Sequence, residues 1–307
     1  MGLKPYNDVA FFCSNGFYGE DILASLIRPA EHSPATTGIG ELKAGLQNLT
    51  YSLVIPAYNE GARLAPTLER VLGYIARHEC DAEVIVVNDG SRDNTADIVR
   101  SFAQDHPWLR LVENPGNRGK GYSVRNGVLH ARGRVVLFTD ADLSSPIEEV
   151  PKLLQALAAG ADIAIGSRWL QAELQTKRQS LHRQFFGRIF NLLLRITLGL
   201  HFKDTQCGFK AFRQRAALAV FPLQKIEGWG FDPEILFLAR KVGLKVQEVP
   251  VVWAHDGGTR INPIADGARM FVEMLRIRWY DLNGKYNPSS LQPQPVKTLP
   301  EVRGPNV

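Results

Sequence analysis

Between residues 51 and 166, short apolar bursts alternate with longer stretches in which apolar residues recur every three or four positions. Brief apolar runs bounded by turn residues read as buried strands, and the 3.6-residue recurrence reads as helix. The pattern predicts strands over 52–56 (Ser-Leu-Val-Ile-Pro), 83–87, 110–113, 135–139 and 162–166. A helix is predicted over 61–78, with Leu64, Leu68, Val71, Leu72 and Ile75 on one face. A second begins among the capping residues 91–95 and runs to about 105. A third is opened by Gly116, Gly119 and Gly121 and reaches about 131; a fourth starts at Ser145-Pro146 with an acidic first turn and is closed by Gly160. Such alternation predicts a three-layer α/β domain around a mainly parallel sheet.

Past residue 167 the rhythm changes. Residues 185–200 are strongly apolar, with Arg188 and Arg195 interspersed, and read as a helix that is either core or laid on a membrane surface. Residues 204–210 read as a loop, 232–242 as a helix and 246–253 as a strand. Ile264, Ala268, Phe271, Leu275 and Leu282 form one stripe of a terminal amphipathic helix that also carries Arg269, Arg276 and Arg278. The predicted organisation is an N-terminal extension (1–50) with no assigned role, an α/β domain (51–255), the amphipathic helix (256–285) and a proline-rich, disordered tail (286–307).

Charge sharpens this picture. The net charge is a modest +5, but ten Lys or Arg fall between 168 and 215 against two acids, Glu173 and Asp204. That excess suits an anionic partner, and the scarcity of interleaved aromatics argues against nucleic acid. Cys13, Cys80 and Cys207 form no paired motif, which points to a reducing compartment. No run of about eighteen apolar residues is present to span a bilayer, and the N-terminus lacks the order of a signal peptide. The expectation is a cytoplasmic protein associated peripherally with a membrane.

The candidate chemistry gathers at the strand ends. Strand 135–139 rises to Asp140-Ala141-Asp142, and two carboxylates at the end of a buried strand are costly unless paired. In sheets of this kind the ligand sits outside the carboxyl ends of the strands. Glu60 and Asp89 follow the first two strands, where they can accept hydrogen bonds from a base or a ribose. Pro56 and Tyr58 offer an apolar wall for a flat ring, and Gly119-Lys120-Gly121 offers close backbone approach plus a cation. Asp140 and Asp142 can hold Mg²⁺ or Mn²⁺, hard cations that prefer oxygen and bridge diphosphates. The set fits a nucleoside diphosphate. Neither a Walker loop nor a Rossmann glycine fingerprint is present.

Taken in order, Val54-Ile55-Pro56-Ala57-Tyr58-Asn59-Glu60, the stretch Val87–Thr95 (VNDGSRDNT), Asn117-Arg118-Gly119-Lys120-Gly121 and Asp140-Ala141-Asp142 resemble the family 2 glycosyltransferases of GT-A fold. Gly166-Ser167-Arg168, Asp204–Lys210 (DTQCGFK) and Gly228-Trp229-Gly230-Phe231-Asp232 narrow the likeness to polyprenyl-phosphate sugar synthases, the dolichyl-phosphate β-glucosyltransferase and mannose synthase group. The resemblance covers about 51–282 and implies inverting transfer from a nucleotide sugar to a polyprenyl phosphate. By that likeness Pro56, Tyr58, Glu60 and Asp89 hold the nucleoside, Lys120 joins the nucleotide-sugar contacts, and Asp140 and Asp142 bind the metal. Arg168, Arg183 and Arg260 are the phosphate-facing candidates, each with a solvated-face alternative.

Two departures favour the glucosyl branch, with UDP-glucose as donor, over mannosyl transfer from GDP-mannose. Ser144 stands where mannose synthases carry a glutamine, and Ala254 stands where they carry an arginine six residues before the position of Arg260. A soluble acceptor is the next alternative, and a non-catalytic nucleotide- or nucleic-acid-binding module is more remote. Asp232 and Glu234 either bind sugar hydroxyls or cap a helix; Trp229 either stacks on a sugar or fills the core. A phosphate acceptor is already anionic, so no strong general base is required, and charge stabilisation at the leaving diphosphate carries the expected catalysis.

Overall fold

The computed structural model describes residues 50–170, 193–254 and 263–287. Seven strands form one sheet in the order β3-β2-β1-β4-β6-β5-β7. They are β1 (Tyr51–Ala57), β2 (Ala82–Asn88), β3 (Leu109–Glu113), β4 (Val135–Thr139), β5 (Ile163–Ser167), β6 (Phe209–Arg213) and β7 (Val246–Pro250). All pairings are parallel except those of β6, which runs antiparallel to both β4 and β5.

The helices are α1 (Leu64–Arg77), α2 (Thr95–Asp105), α3 (Lys120–His130), α4 (Val150–Ala158), α5 (Gln214–Val220), α6 (Phe231–Lys241) and α7 (Pro263–Leu282), with a further helical stretch over 193–198. Successive strand residues point to opposite faces, and the core divides accordingly. Leu53, Ile55, Val84, Val86 and Leu137 pack under α1 and α4, whereas Val54, Ile85, Val87, Val136 and Phe138 pack under α3, α5 and α6. The expected three-layer α/β architecture is therefore present, with helices on both faces.

Strand β6 begins inside the 204–210 stretch that reads as a loop in the sequence. Its sequence, Phe-Lys-Ala-Phe-Arg, carries Lys and Arg inside a fully buried strand, so polarity masked it. Its register pairs Lys210 with Phe138 and Phe209 with Thr139. The loop just before β6 is thereby delivered to the carboxyl end of β4. At Ser145-Pro146 a 3-10 turn (Ile147–Glu149) precedes α4, and Ser145 makes no cap; its hydroxyl lies 3.7 Å from the Cys207 thiol.

The terminal helix divides its apolar residues between two faces. Met274 and Ile277 are fully buried against the core, while Phe271, Leu275 and Leu282 are exposed, together with Val272 and Trp279. The predicted stripe is thus an outward face, and a neighbouring stripe does the packing. Ile264 and Ala268 lie outside the described side chains. Of the apolar 185–200 stretch, Leu194, Leu198 and Leu200 are buried and Ile196 is exposed.

Candidate active site

The ends of β1, β2 and β4 and the start of α3 converge with the 204–208 loop and the 228–232 turn. At the end of β1, Tyr58 is exposed and Asn59 adopts positive φ (54°). The Asn59 amide donates to Ser91 Oγ (2.9 Å), and its carboxamide oxygen accepts from the Arg92 amide (2.8 Å), latching the β1 and β2 loops together. Glu60 is held by Arg63 through both carboxylate oxygens (2.5 and 2.9 Å).

Asp89 is buried, and its carboxylate is well supplied with donors. Asn114 Nδ2 (2.7 Å) and the Arg118 amide (2.8 Å) reach Oδ1, and the Gly119 amide (2.8 Å) reaches Oδ2. Asp89 thus shapes the loop that opens α3. Gly119 has φ of 103°, and a Cβ there would lie 2.6 Å from the Glu227 carbonyl, so only glycine fits. Asn114, which sequence reasoning missed, also accepts from Asn126 (2.8 Å) through its carboxamide and from the Gly116 amide (2.7 Å) through its carbonyl.

Asp140 and Asp142 leave β4 through a tight turn in which Leu143 takes φ of 46°. Thr67 Oγ1 donates to the Ala141 carbonyl (2.6 Å), and the Ser144 amide donates to Asp142 Oδ1 (2.9 Å). This turning breaks the strict alternation of the strand and brings two carboxylates to one region. Asp140 is backed closely by Gly208, where a Cβ would sit 2.1 Å from Oδ2. On its open side Asp140 Oδ1 meets Lys120 Nζ at 2.6 Å. Burial works to lower the Lys120 pKa, but Asp140, Asp232 and Asp142 outweigh it and hold the ammonium above its ordinary value. Lys120 also lies over the exposed Trp229 ring, 5.1 Å from its centroid.

The donor set suits a hard divalent cation, since two carboxylates already attract a cation there and leave coordination positions for phosphate oxygens and water. Among the described residues no three acid, His or Cys side chains are placed to hold a metal ion by themselves, so no all-protein cage is built.

Arg168, one of the phosphate-facing candidates, is engaged with a carboxylate. Its guanidinium grips Asp204 through Nε (2.6 Å) and Nη2 (2.8 Å), its amide reaches the same carboxylate (2.9 Å), and the Trp253 ring lies 5.5 Å away. Burial pushes the Asp204 carboxyl up, but Arg168 more than reverses this and holds it below the usual carboxylate range. The pair ties the end of β5 to the loop before β6. Arg183 and Arg260 lie outside the described residues.

Asp232 and Glu234 part company. Asp232 is buried against the fully buried Lys210 (Nζ–Oδ1 2.5 Å), and Lys210 also donates to the Cys207 carbonyl (2.6 Å). Glu234 accepts from the Lys225 and Ile226 amides (2.8 Å each) and from the Tyr286 hydroxyl (2.5 Å), and burial pushes it up to about 7. Glu234 is a brace rather than a sugar contact or a cap of its own helix. Another brace escaped the sequence reading: Glu273 of α7 accepts from the Gly230 amide (2.7 Å) and packs so tightly that a Cβ on Gly228 would lie 2.2 Å from it.

The two departures from the mannose-synthase pattern prove to be neighbours. The Ala254 amide donates to the Ser144 carbonyl (2.9 Å), so both small side chains border the turn that carries Asp142.

Comparison with known proteins agrees with this geometry. The family model described as "Glycosyl transferase family 2" matches residues 52–221. A dolichyl-phosphate beta-glucosyltransferase of Trichomonas vaginalis is 41% identical over 241 residues, covering 75% of this chain and 71% of that protein. Those of Saccharomyces cerevisiae (34% identical, 78% and 77% covered) and Homo sapiens (32%, 76% and 76%) are similar over comparable lengths. Among solved structures, glucosyl-3-phosphoglycerate synthase from Mycobacterium tuberculosis with UDP superposes with a TM-score of 0.57 at 22% identity, covering 82% of this chain and 87% of that one. The same enzyme with Mn²⁺, UDP-glucose and phosphoglyceric acid gives 0.56 at 22% identity, covering 80% and 85%. The chain belongs to glycosyl transferase family 2.

Proposed function

We propose that this chain is an inverting glucosyltransferase that moves glucose from UDP-glucose to the phosphate of a polyprenyl lipid, dolichyl phosphate by analogy with its relatives. The observation that carries the reading is the Asp140–Asp142 turn at the end of β4, with Lys120 against it and Tyr58 at the end of the neighbouring strand β1. The similar proteins in three organisms are all named dolichyl-phosphate beta-glucosyltransferases, which supports glucose over mannose. The fold neighbour crystallised with Mn²⁺ and UDP-glucose supports a metal-assisted donor site.

In this reading Pro56 and Tyr58 flank the base. Asp89 fixes the 116–119 loop beneath the nucleoside, and the Glu60–Arg63 pair borders it. Asp140 and Asp142 would hold Mg²⁺ or Mn²⁺, which when bound offsets charge on the leaving diphosphate. Lys120, at the first turn of α3, adds a cation and the positive end of a helix dipole to the same group. The acceptor phosphate supplies its own nucleophilic oxygen, so no side chain need remove a proton. Arg183 and Arg260 remain candidates for the acceptor phosphate. Arg168 acts by fixing Asp204 and, through it, the 204–208 loop behind Asp140.

A membrane surface as the place of work is supported by α7. Val272, Leu275, Trp279 and Leu282 share an exposed face, with Arg269, Arg276 and Lys285 exposed nearby, the pattern of a helix lying in a lipid interface. No helix among the described residues is long and apolar enough to cross a membrane. The test is a panel of UDP- and GDP-sugars offered with dolichyl or undecaprenyl phosphate and Mg²⁺ or Mn²⁺. A glucosyl lipid formed from UDP-glucose is expected; glucosylation of a soluble phosphorylated acceptor alone would overturn the lipid assignment.

A further inference from the structure

Lys120 occupies a position that a bound divalent cation would contest. Its Nζ lies 2.6 Å from Asp140 Oδ1, and the two side chains are only 14% and 33% exposed. Gly208 packs closely on the far side of Asp140, where even a Cβ would clash with the carboxylate. Lys120 is drawn inward by Asp232 and Asp142 as well as by Asp140. Asp232 in turn is fixed by the buried Lys210, and the Trp229 face lies 5.1 Å from the ammonium. The cluster therefore holds three carboxylates, Asp140, Asp142 and Asp232, with two ammonium groups, Lys120 and Lys210. A divalent cation arriving alone must compete with an ammonium held by the carboxylates of the same cluster.

We propose that Lys120 is a stand-in cation on Asp140, which makes metal uptake depend on the nucleotide diphosphate. This inference rests on the metal-site reading given under the proposed function. A diphosphate supplies oxygens to both cations at once: it gives Lys120 a new anionic partner and frees Asp140 for the metal. Metal and nucleotide then bind with strong positive coupling, and by linkage each tightens the other by the same factor. Without nucleotide the ammonium keeps the carboxylates neutralised, so the turn at 140–142 stays folded and is guarded against stray divalent ions. Lys120 is a positioning residue in this role, in addition to its contact with the donor.

The experiment is a titration of the full chain with Mn²⁺, following the free-ion signal by electron paramagnetic resonance, with and without UDP. Wild type is expected to bind Mn²⁺ weakly alone and much more tightly with UDP. Lys120→Met removes the competitor at similar volume, and its affinity for Mn²⁺ alone should rise about tenfold or more. Lys120→Arg keeps the charge and should bind Mn²⁺ alone as weakly as wild type. If Lys120→Met does not fold, as judged by circular dichroism, Lys120→Gln reports the same quantity. Unchanged or weaker binding of Mn²⁺ alone by the neutral variants overturns the proposal. Asp142→Asn separates the levels: if it abolishes Mn²⁺ binding while Lys120→Met changes nothing, only the stand-in role falls. If neither substitution alters Mn²⁺ binding, the metal-site reading falls with it.

Discussion

Strand β4 carries Asp140 between two unlike neighbours, β1 on one side and β6 on the other. On the β1 side the strands are parallel, and each presents its chemistry within a few residues of its own end, as at Tyr58, Asp89 and Asp140. On the β6 side the chain runs antiparallel, and what borders the site is held by partners far away in sequence. Asp204 is gripped by Arg168, Asp232 by Lys210, and the Gly228–Gly230 turn by Glu273 from α7. Tyr58 and Asp142, on the first side, can be changed singly, since they project from strand ends. The second behaves as a clasp, because each of these contacts ties a different segment in place beside the site.

That contrast predicts which substitutions strike chemistry and which strike stability. Asp142→Asn, on the parallel side, should lower glucosyl transfer about 10²–10³-fold, or about 3–4 kcal/mol, while the thermal midpoint stays near wild type. A collapse of the fold instead would erase the distinction. Asp204→Asn, within the clasp, should cost about 3 kcal/mol of stability, the scale for breaking one partner of a buried pair. The pH dependence carries its own sign. Asp204 has a folded pKa below its unfolded value, so its stabilisation is present above about pH 4 and is lost as pH falls through the lower folded value. Denaturant midpoints at neutral and acid pH should show a steeper acid loss in wild type than in Asp204→Asn.

Gly208→Ala tests the line where the two sides touch. The new methyl meets the end of the Asp140 side chain rather than backbone, so the carboxylate can be pushed aside at small cost in stability. Transfer should nonetheless fall about tenfold or more, since displacements near 1 Å at a reacting site are expensive. Equal losses of stability and rate would argue against a positional effect. The smallest expected effect is at the outer face of α7, where Trp279→Ser with Leu282→Ser should weaken retention on anionic vesicles about tenfold. Rates on a short, water-soluble polyprenyl phosphate should remain unchanged.

The same division governs what could be read from the chain alone. The alternation of bursts and helical spacing reveals the parallel strands, because their burial on both faces leaves unbroken apolar runs. The acidic and glycine motifs are legible because they follow those runs directly. Strand β6 is not, since Lys210 and Arg213 are buried within it through partners at Asp232 and at the Leu157 and Ala161 carbonyls. Arg168 looked available for phosphate because its partner Asp204 is 36 residues away. The α7 stripe is legible as an apolar face, but Met274 and Ile277, on a neighbouring stripe, do the packing. Periodicity finds an apolar face without saying whether protein or another surface covers it.

The most direct test of the central claim is to incubate the purified chain with UDP-glucose, dolichyl phosphate and Mn²⁺ and to identify the anomeric linkage of any lipid product. The account predicts β-linked glucosyl phosphoryl dolichol, with formation abolished by chelation of the metal. Transfer from GDP-mannose in preference to UDP-glucose, or an α-linked product, would contradict it.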